Sequence, residues 1–352
     1  MRIFRIILFA AFAALAITAC EDVTLIVEPT GIEGILVLNN GNWGANDASL
    51  SLYDPEDGAV TGDMFLTANN QHLGDLGQDM AIVGDDIYIA VNGSKVIFVT
   101  DRDLKIKKTI EASEGGAKLS PRCFAAAGGK VYVTYYEGYL GEIDPSSYSV
   151  RTTAVGPNPD GVAYAGGKLY VANSGGYLPT FNNTVSVVDA ALFKEVATIE
   201  VNCNPAAVVA SGNGKYVYVN SYGNYADIQP KLQAIDIASS KAIDLDYTDV
   251  KGIAMGKNDE LMVVTGSYDE NWAIAGTVWR HNANSNSKAG KFSETVTTPY
   301  YSISADPETG YVFVGTSDYT TNGDVWWFDE NGKLQEKFDS EGLNPLKVVY
   351  LH

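Results

Sequence analysis

Short runs of apolar residues, four or five long and rich in Val, Ile, Leu and Tyr, recur along the whole chain. The clearest group falls within residues 168–205, where runs at 169–172, 185–189 and 195–201 are separated by breaks rich in Gly, Asn and Pro. β-Branched and aromatic residues suit a pleated, half-buried surface, and the breakers supply the reversals. The same unit repeats, with signature segments at 35–39, 87–91, 131–134, 169–172, 217–220, 261–264 and 312–315. A second run follows each signature and closes on a turn residue: Asp54, Asp101, Asp144, Asp189, Asp236, His281 in the sixth copy, and Asp329. These positions are spaced by 47, 43, 45, 47, 45 and 48 residues. That is the length of a four-stranded propeller blade, so the pattern predicts an all-β, seven-bladed β-propeller.

The register predicts how the ring closes. Pro121, Pro159, Pro205 and Pro299 each open a first strand, and Pro345 repeats the arrangement just before the last residues. The first copy, by contrast, begins directly at its second strand. The run 348–351 is therefore expected to supply the missing innermost strand of blade one and to leave no free sheet edge there. The acid that ends six of the seven units reads as a turn former, because a structural need recurs in every blade while a site does not.

Composition adds an address and excludes some partners. Arg2 and Arg5 precede an apolar run at 6–17, too short to span a bilayer with polar flanks. Residues 17–20, Ile-Thr-Ala-Cys, resemble a bacterial lipobox, which implies cleavage before Cys20 and acylation of that residue. The expected organisation is a signal peptide at 1–19, an acylated cysteine and tether at 20–30, and the propeller at 31–352. Glu21 and Asp22 resemble the acidic export signal of gut Bacteroidetes lipoproteins, which implies an outer-membrane, lipid-anchored protein facing the cell exterior. Loss of Arg2 and Arg5 takes the net charge from −19 to −21. Such a chain repels polyanions, so nucleic acid is not expected as a partner, and a monomer is. Cys123 and Cys203 occupy non-matching places in different repeats and read as two buried free thiols.

The loops between second and third strands differ sharply from one another, and in a propeller they emerge on one face. They bring Trp43, Tyr135, Tyr136, Tyr177, Phe181, Tyr222, Tyr225, Tyr268, Trp272 and Tyr319 to one rim, with Asn42, Asn224, Asp227, Asp269 and Asn271 among them. Arg122, Asp160, Lys251 and Tyr300 lie nearer the central channel. About half of the aromatics would pack the loops onto the blades. The remainder, with Asn42, Arg122 and Tyr300, suit a large flat ligand edged with amides or hydroxyls, since apolar faces stack and polar tips fix the edges. Catalysis finds little footing: His72, His281 and His352 are the only histidines, no nucleophile elbow is present, and no Cys or His spacing suggests a metal. No catalytic residue, metal or cofactor is expected.

The segments LYVANS (169–174) and NNTVSVVD (182–189), with VYVTYY (131–136) and VYVNSY (217–222), resemble the YVTN-type seven-bladed propellers over residues 31–352. With the acidic-tagged acyl-cysteine and the opening LNNGNWG (38–44), the chain more narrowly resembles the surface-exposed cobalamin-capturing propeller lipoproteins of gut Bacteroidetes. That resemblance implies tight cobalamin binding on one propeller face and delivery to an outer-membrane TonB-dependent transporter. A glycan-binding surface lipoprotein fits the same aromatic platform. Lactonase-like and lyase-like propeller enzymes share the fold, which alone does not decide.

Overall fold

In the computed structural model, residues 31–271 and 273–351 are described; the expected signal peptide, acylated Cys20 and tether fall on residues 1–30, which lie outside them, as do Trp272 and His352. Seven four-stranded antiparallel sheets make up residues 31–351, and one small two-stranded hairpin joins Ser113–Glu114 to Ala117–Lys118. The seven second strands are Gly34–Asn39, Asp86–Val91, Lys130–Tyr135, Lys168–Asn173, Tyr216–Ser221, Glu260–Thr265 and Val312–Thr316. They are buried along nearly their whole length, because each is covered on both faces by neighbouring blades. This explains why they read as continuous apolar runs and not as an alternation. The outermost strands, such as Lys194–Glu200 and Leu334–Asp339, face solvent along most of their length.

The core is a circle of interfaces between adjacent blades. Ala163, Tyr170, Val185, Val217 and Val219, for instance, pack blades four and five together. Closure follows the sequence reading: Pro345–Leu351 pairs antiparallel with Gly34–Asn39, giving blade one its innermost strand from the opposite end of the chain.

Turn acids act as expected. Carboxylates of Asp54, Asp101, Asp144, Asp189, Asp236 and Asp329 each accept the backbone N–H two or three residues on, at 2.7–3.0 Å. The sixth copy corrects the sequence reading. His281 is not a turn residue but a buried member of the strand Thr277–Asn282. Asn282, one residue later, caps the turn through the N–H groups of Asn284 and Ser285. The His281 ring lies 3.0 Å from Asn286 Oδ1 and 3.4 Å from the Tyr247 hydroxyl, and burial lowers its pKa against the opposing Asn286 bond. Cys123 and Cys203 are free thiols, each half-buried.

Candidate functional site

The innermost strands carry a device that recurs in all seven blades. Where each pairs with its second strand, the register slips near its start: between Gly77 and Asp79, Pro121 and Phe124, Pro159 and Val162, Pro205 and Ala207, Val250 and Gly252, and Tyr300 and Ser302, with the matching slip in blade one opposite Leu38 and Asn39. Such a bulge re-aims a side chain out of the ladder. The first residue set aside in each blade is Gln78, Arg122, Asp160, Ala206, Lys251, Tyr301 or Leu346, and all seven line one central cavity of about 770 Å³.

Charges in that channel are largely matched. Arg122 donates from Nη2 to both oxygens of Asp160 at 2.9 Å, and from Nη1 to Gln78 at 3.0 Å. Burial works to lower the Arg122 pKa, but Asp160 outweighs it and the guanidinium stays firmly charged. Lys347 lies 3.6 Å from Asp79, whose other oxygen accepts the Phe124 N–H. Cys123 sits beside Asp160, and burial pushes its thiol pKa well up, so it remains protonated. The Lys251 ammonium instead lies 4.7 Å from the centre of the Tyr268 ring, and burial lowers its pKa while Asp249 opposes the shift.

A second cavity of about 600 Å³ opens beside the channel and shares Tyr222, Lys251, Tyr300 and Tyr301 with it. Its wall comes from the loops of blades five to seven: Tyr225, Ile228, Tyr268, Ile274 and Tyr319. Six tyrosines thus form one bowl. Tyr300 is nearly buried, and its ring reaches over Gly252, where an added Cβ would fall 2.1 Å from the hydroxyl. That close approach needs glycine. Burial pushes the phenol pKa of Tyr222, Tyr300 and Tyr301 upward, so all three keep their protons at neutral pH.

The structure gathers most of the expected residues. Tyr222, Tyr225, Tyr268, Tyr300 and Tyr319 meet in the bowl. Phe181 sets its edge against Tyr225, with centroids 5.7 Å apart, and so joins blade four to the bowl. Tyr136 is wedged between Tyr177, 4.7 Å away and perpendicular, and Arg122, 5.0 Å from its ring centre. Asn42 links first and last blades, donating to the Tyr319 carbonyl at 3.2 Å and accepting from Asn344 at 3.1 Å. Trp43, beside it, is 76% exposed, and Tyr225 is 72% exposed.

One expectation needs correction, and one residue was overlooked. Tyr135 is not a rim residue: it ends the strand Lys130–Tyr135, is 1% exposed, and lays its ring over Gly141 in the core between blades. The loop starts one residue later than the pattern implied. Tyr300 does line the channel, but it pairs with Thr316 as Pro121 pairs with Tyr135. The true equivalent of Arg122 is Tyr301, which the sequence reading missed. Aligning the bulged positions, second in each innermost strand, would have found Tyr301 along with Gln78 and Leu346. Trp272 lies outside the described residues.

Among the described residues, no group of three His, Cys, Asp or Glu side chains could hold a metal ion, and no helix is long and apolar enough to cross a membrane. The family described as "Domain of unknown function (DUF5074)" matches residues 33–338. Among curated proteins, none matches the sequence. Solved structures that resemble it include the hydrazine synthase of Kuenenia stuttgartiensis, at 17% identity and a TM-score of 0.58 over 70% of this chain and 74% of that one. A chain of the mitotic checkpoint complex matches at 13% identity and a TM-score of 0.57, covering 95% of this chain and 89% of the other. U3-55K matches at 12% identity and a TM-score of 0.54, over 74% and 80%. At such identities these likenesses show a shared fold.

Proposed function

The chain belongs to the DUF5074 family, and from that premise and the shape of the bowl we propose that it is a binding protein which holds cobalamin on its loop-bearing face. The carrying observation is the cluster of Tyr222, Tyr225, Tyr268, Tyr300, Tyr301 and Tyr319 around one open cavity that runs into the channel. Phenol faces offer stacking surface and phenol hydroxyls offer hydrogen bonds, which together suit a flat macrocycle edged with amides. The corrin ring is of that kind and needs edge bonds more than counter-charge. Cys20, if acylated as its lipobox-like setting implies, would tether the protein to the outer membrane. There it would pass ligand to a TonB-dependent transporter. The protein is read as a carrier with no catalytic or cofactor role.

The experiment is a calorimetric titration of the purified protein with cyanocobalamin, where saturable one-to-one binding is expected and a flat titration overturns the reading. A glycan ligand is the second reading, favoured by the exposed rings of Trp43 and Tyr177, which a sugar could stack on. Retention on a polysaccharide affinity gel without corrinoid binding would move the assignment there.

A further inference from the structure

Three cations stand at the channel mouth, and two of them are already matched. Arg122 is held by Asp160 through two bonds, and Lys347 faces Asp79 at 3.6 Å. Lys251 differs. Among the described residues its ammonium makes no ion pair and no hydrogen bond; it lies over the Tyr268 ring, with Asp249 acting on it only through space. Two further donors share its position. The hydroxyls of Tyr222 and Tyr300 make no hydrogen bond among the described residues, and both residues line the bowl and the channel as Lys251 does. Tyr301, the fourth shared residue, already donates to Asn40 Oδ1 at 3.1 Å.

One ammonium and two protonated phenols therefore offer hydrogen bonds with nothing to receive them, at the one junction the two cavities share. A half-buried cation without a matched anion is costly, and a cluster of donors alone is satisfied by a group that brings several acceptor oxygens. Resting on the reading of the bowl as the ligand site, we infer that the ligand carries an oxyanion, and that Lys251, Tyr222 and Tyr300 receive it where the bowl opens into the channel. Rings of the ligand then lie outward against Tyr225, Tyr268 and Tyr319. Burial lowers the Lys251 pKa, and an incoming negative charge would raise it again.

Small aromatic probes test this without assuming a ligand. Phenyl phosphate, benzoate and neutral benzyl alcohol are titrated into the protein with tyrosine fluorescence as the signal. At least one of the two anions should bind tenfold or more tighter than benzyl alcohol, and which one does tells phosphate from carboxylate recognition. Lys251→Met should abolish that preference and Lys251→Arg retain it, with unchanged melting temperatures. No preference in the unmodified protein, or a preference that survives Lys251→Met, overturns the inference. A second arm compares cyanocobalamin, which contains a phosphodiester, with dicyanocobinamide, which lacks it. Lys251→Met should weaken the first tenfold or more and leave the second unchanged; equal loss of both refutes a role for the charge. Anion preference without corrinoid binding would leave this inference standing and remove cobalamin as the ligand.

Discussion

Val37 and Val348 sit opposite each other in one antiparallel ladder, although almost the whole chain lies between them. The ring is thus held shut by hydrogen bonds and buried side chains alone. Val348 and Leu351 are both buried there, each worth about 1.5–3 kcal/mol of apolar transfer. Deleting residues 345–352 also bares the edge of Gly34–Asn39. The truncated protein is expected to melt more than about 10 °C lower, or not to fold, as read by circular dichroism. An unchanged melting curve would refute the closure.

Gly252 and Tyr300 provide a paired test. Gly252→Ala places a methyl 2.1 Å from the Tyr300 hydroxyl, whereas the next ring atom is 3.4 Å away. The single substitution should lower the melting temperature by about 3–6 °C. Tyr300→Phe removes the offending oxygen, so the double variant should recover most of the loss. Additive losses would show that the crowding lies elsewhere.

Exposed rings of the bowl should separate binding from stability. Tyr268 and Tyr319 are each more than half exposed. Their replacement by Ala is expected to move the melting temperature by less than about 2 °C, since surface changes usually cost under ~0.5 kcal/mol. Cyanocobalamin affinity measured by calorimetry should fall at least tenfold for each. Parallel losses in both quantities would mark the rings as packing.

Tyr135 should behave in the opposite way. Its ring is buried, and its hydroxyl has no partner among the described residues. Tyr135→Ala is expected to cost about 3–5 kcal/mol, as large-to-small core changes do. Tyr135→Phe removes a buried, unsatisfied hydroxyl and should leave stability equal or higher in urea unfolding. Loss of ligand affinity in the Phe variant at full stability would return Tyr135 to the site.

Asp318 links pH to the loop that carries Tyr319. Backbone N–H groups of Thr321 and Thr320, then the Thr321 hydroxyl, hold its carboxyl well below the usual aspartate range. Because the folded value lies below the unfolded one, the contribution is present above the ordinary aspartate pKa. It is lost as pH falls through the depressed folded value. Amide exchange at Thr320 and Thr321 should stay slow down to about pH 4 relative to an Asp318→Asn variant, and the difference should close under stronger acid. A variant as protected as the parent at neutral pH would remove Asp318 from that role.

Much of this architecture is written in residue order. Repeats such as LYVAN at 169–173 are readable because strands covered on both faces must be apolar throughout, and the turn acids are readable because every blade needs them. The misses are single-residue slips. His281 fell in the acid's position because Asn282, the true cap, is itself a turn former and stands directly beside it. Tyr135 looked like loop because Tyr136 follows it, yet the strand runs through Tyr135 and buries it, and the loop begins only at Tyr136. Tyr301 was overlooked beside Tyr300 because a bulge adds a residue that no period of two can count. Lys251 was visible as a channel residue, but its lack of a counter-ion depends on which carboxylates its neighbours have already claimed, and that is a property of three dimensions.

The slipped register at the start of each innermost strand separates two jobs that side chains usually share. Gln78, Arg122, Asp160, Ala206, Lys251, Tyr301 and Leu346 project from a frame whose pairing is completed by other residues, so any one can be exchanged without rewriting its sheet. The scaffold therefore works as a seven-tumbler lock. Ala206 and Leu346 are its uncut positions, where a new preference can be installed while the housing stays the same.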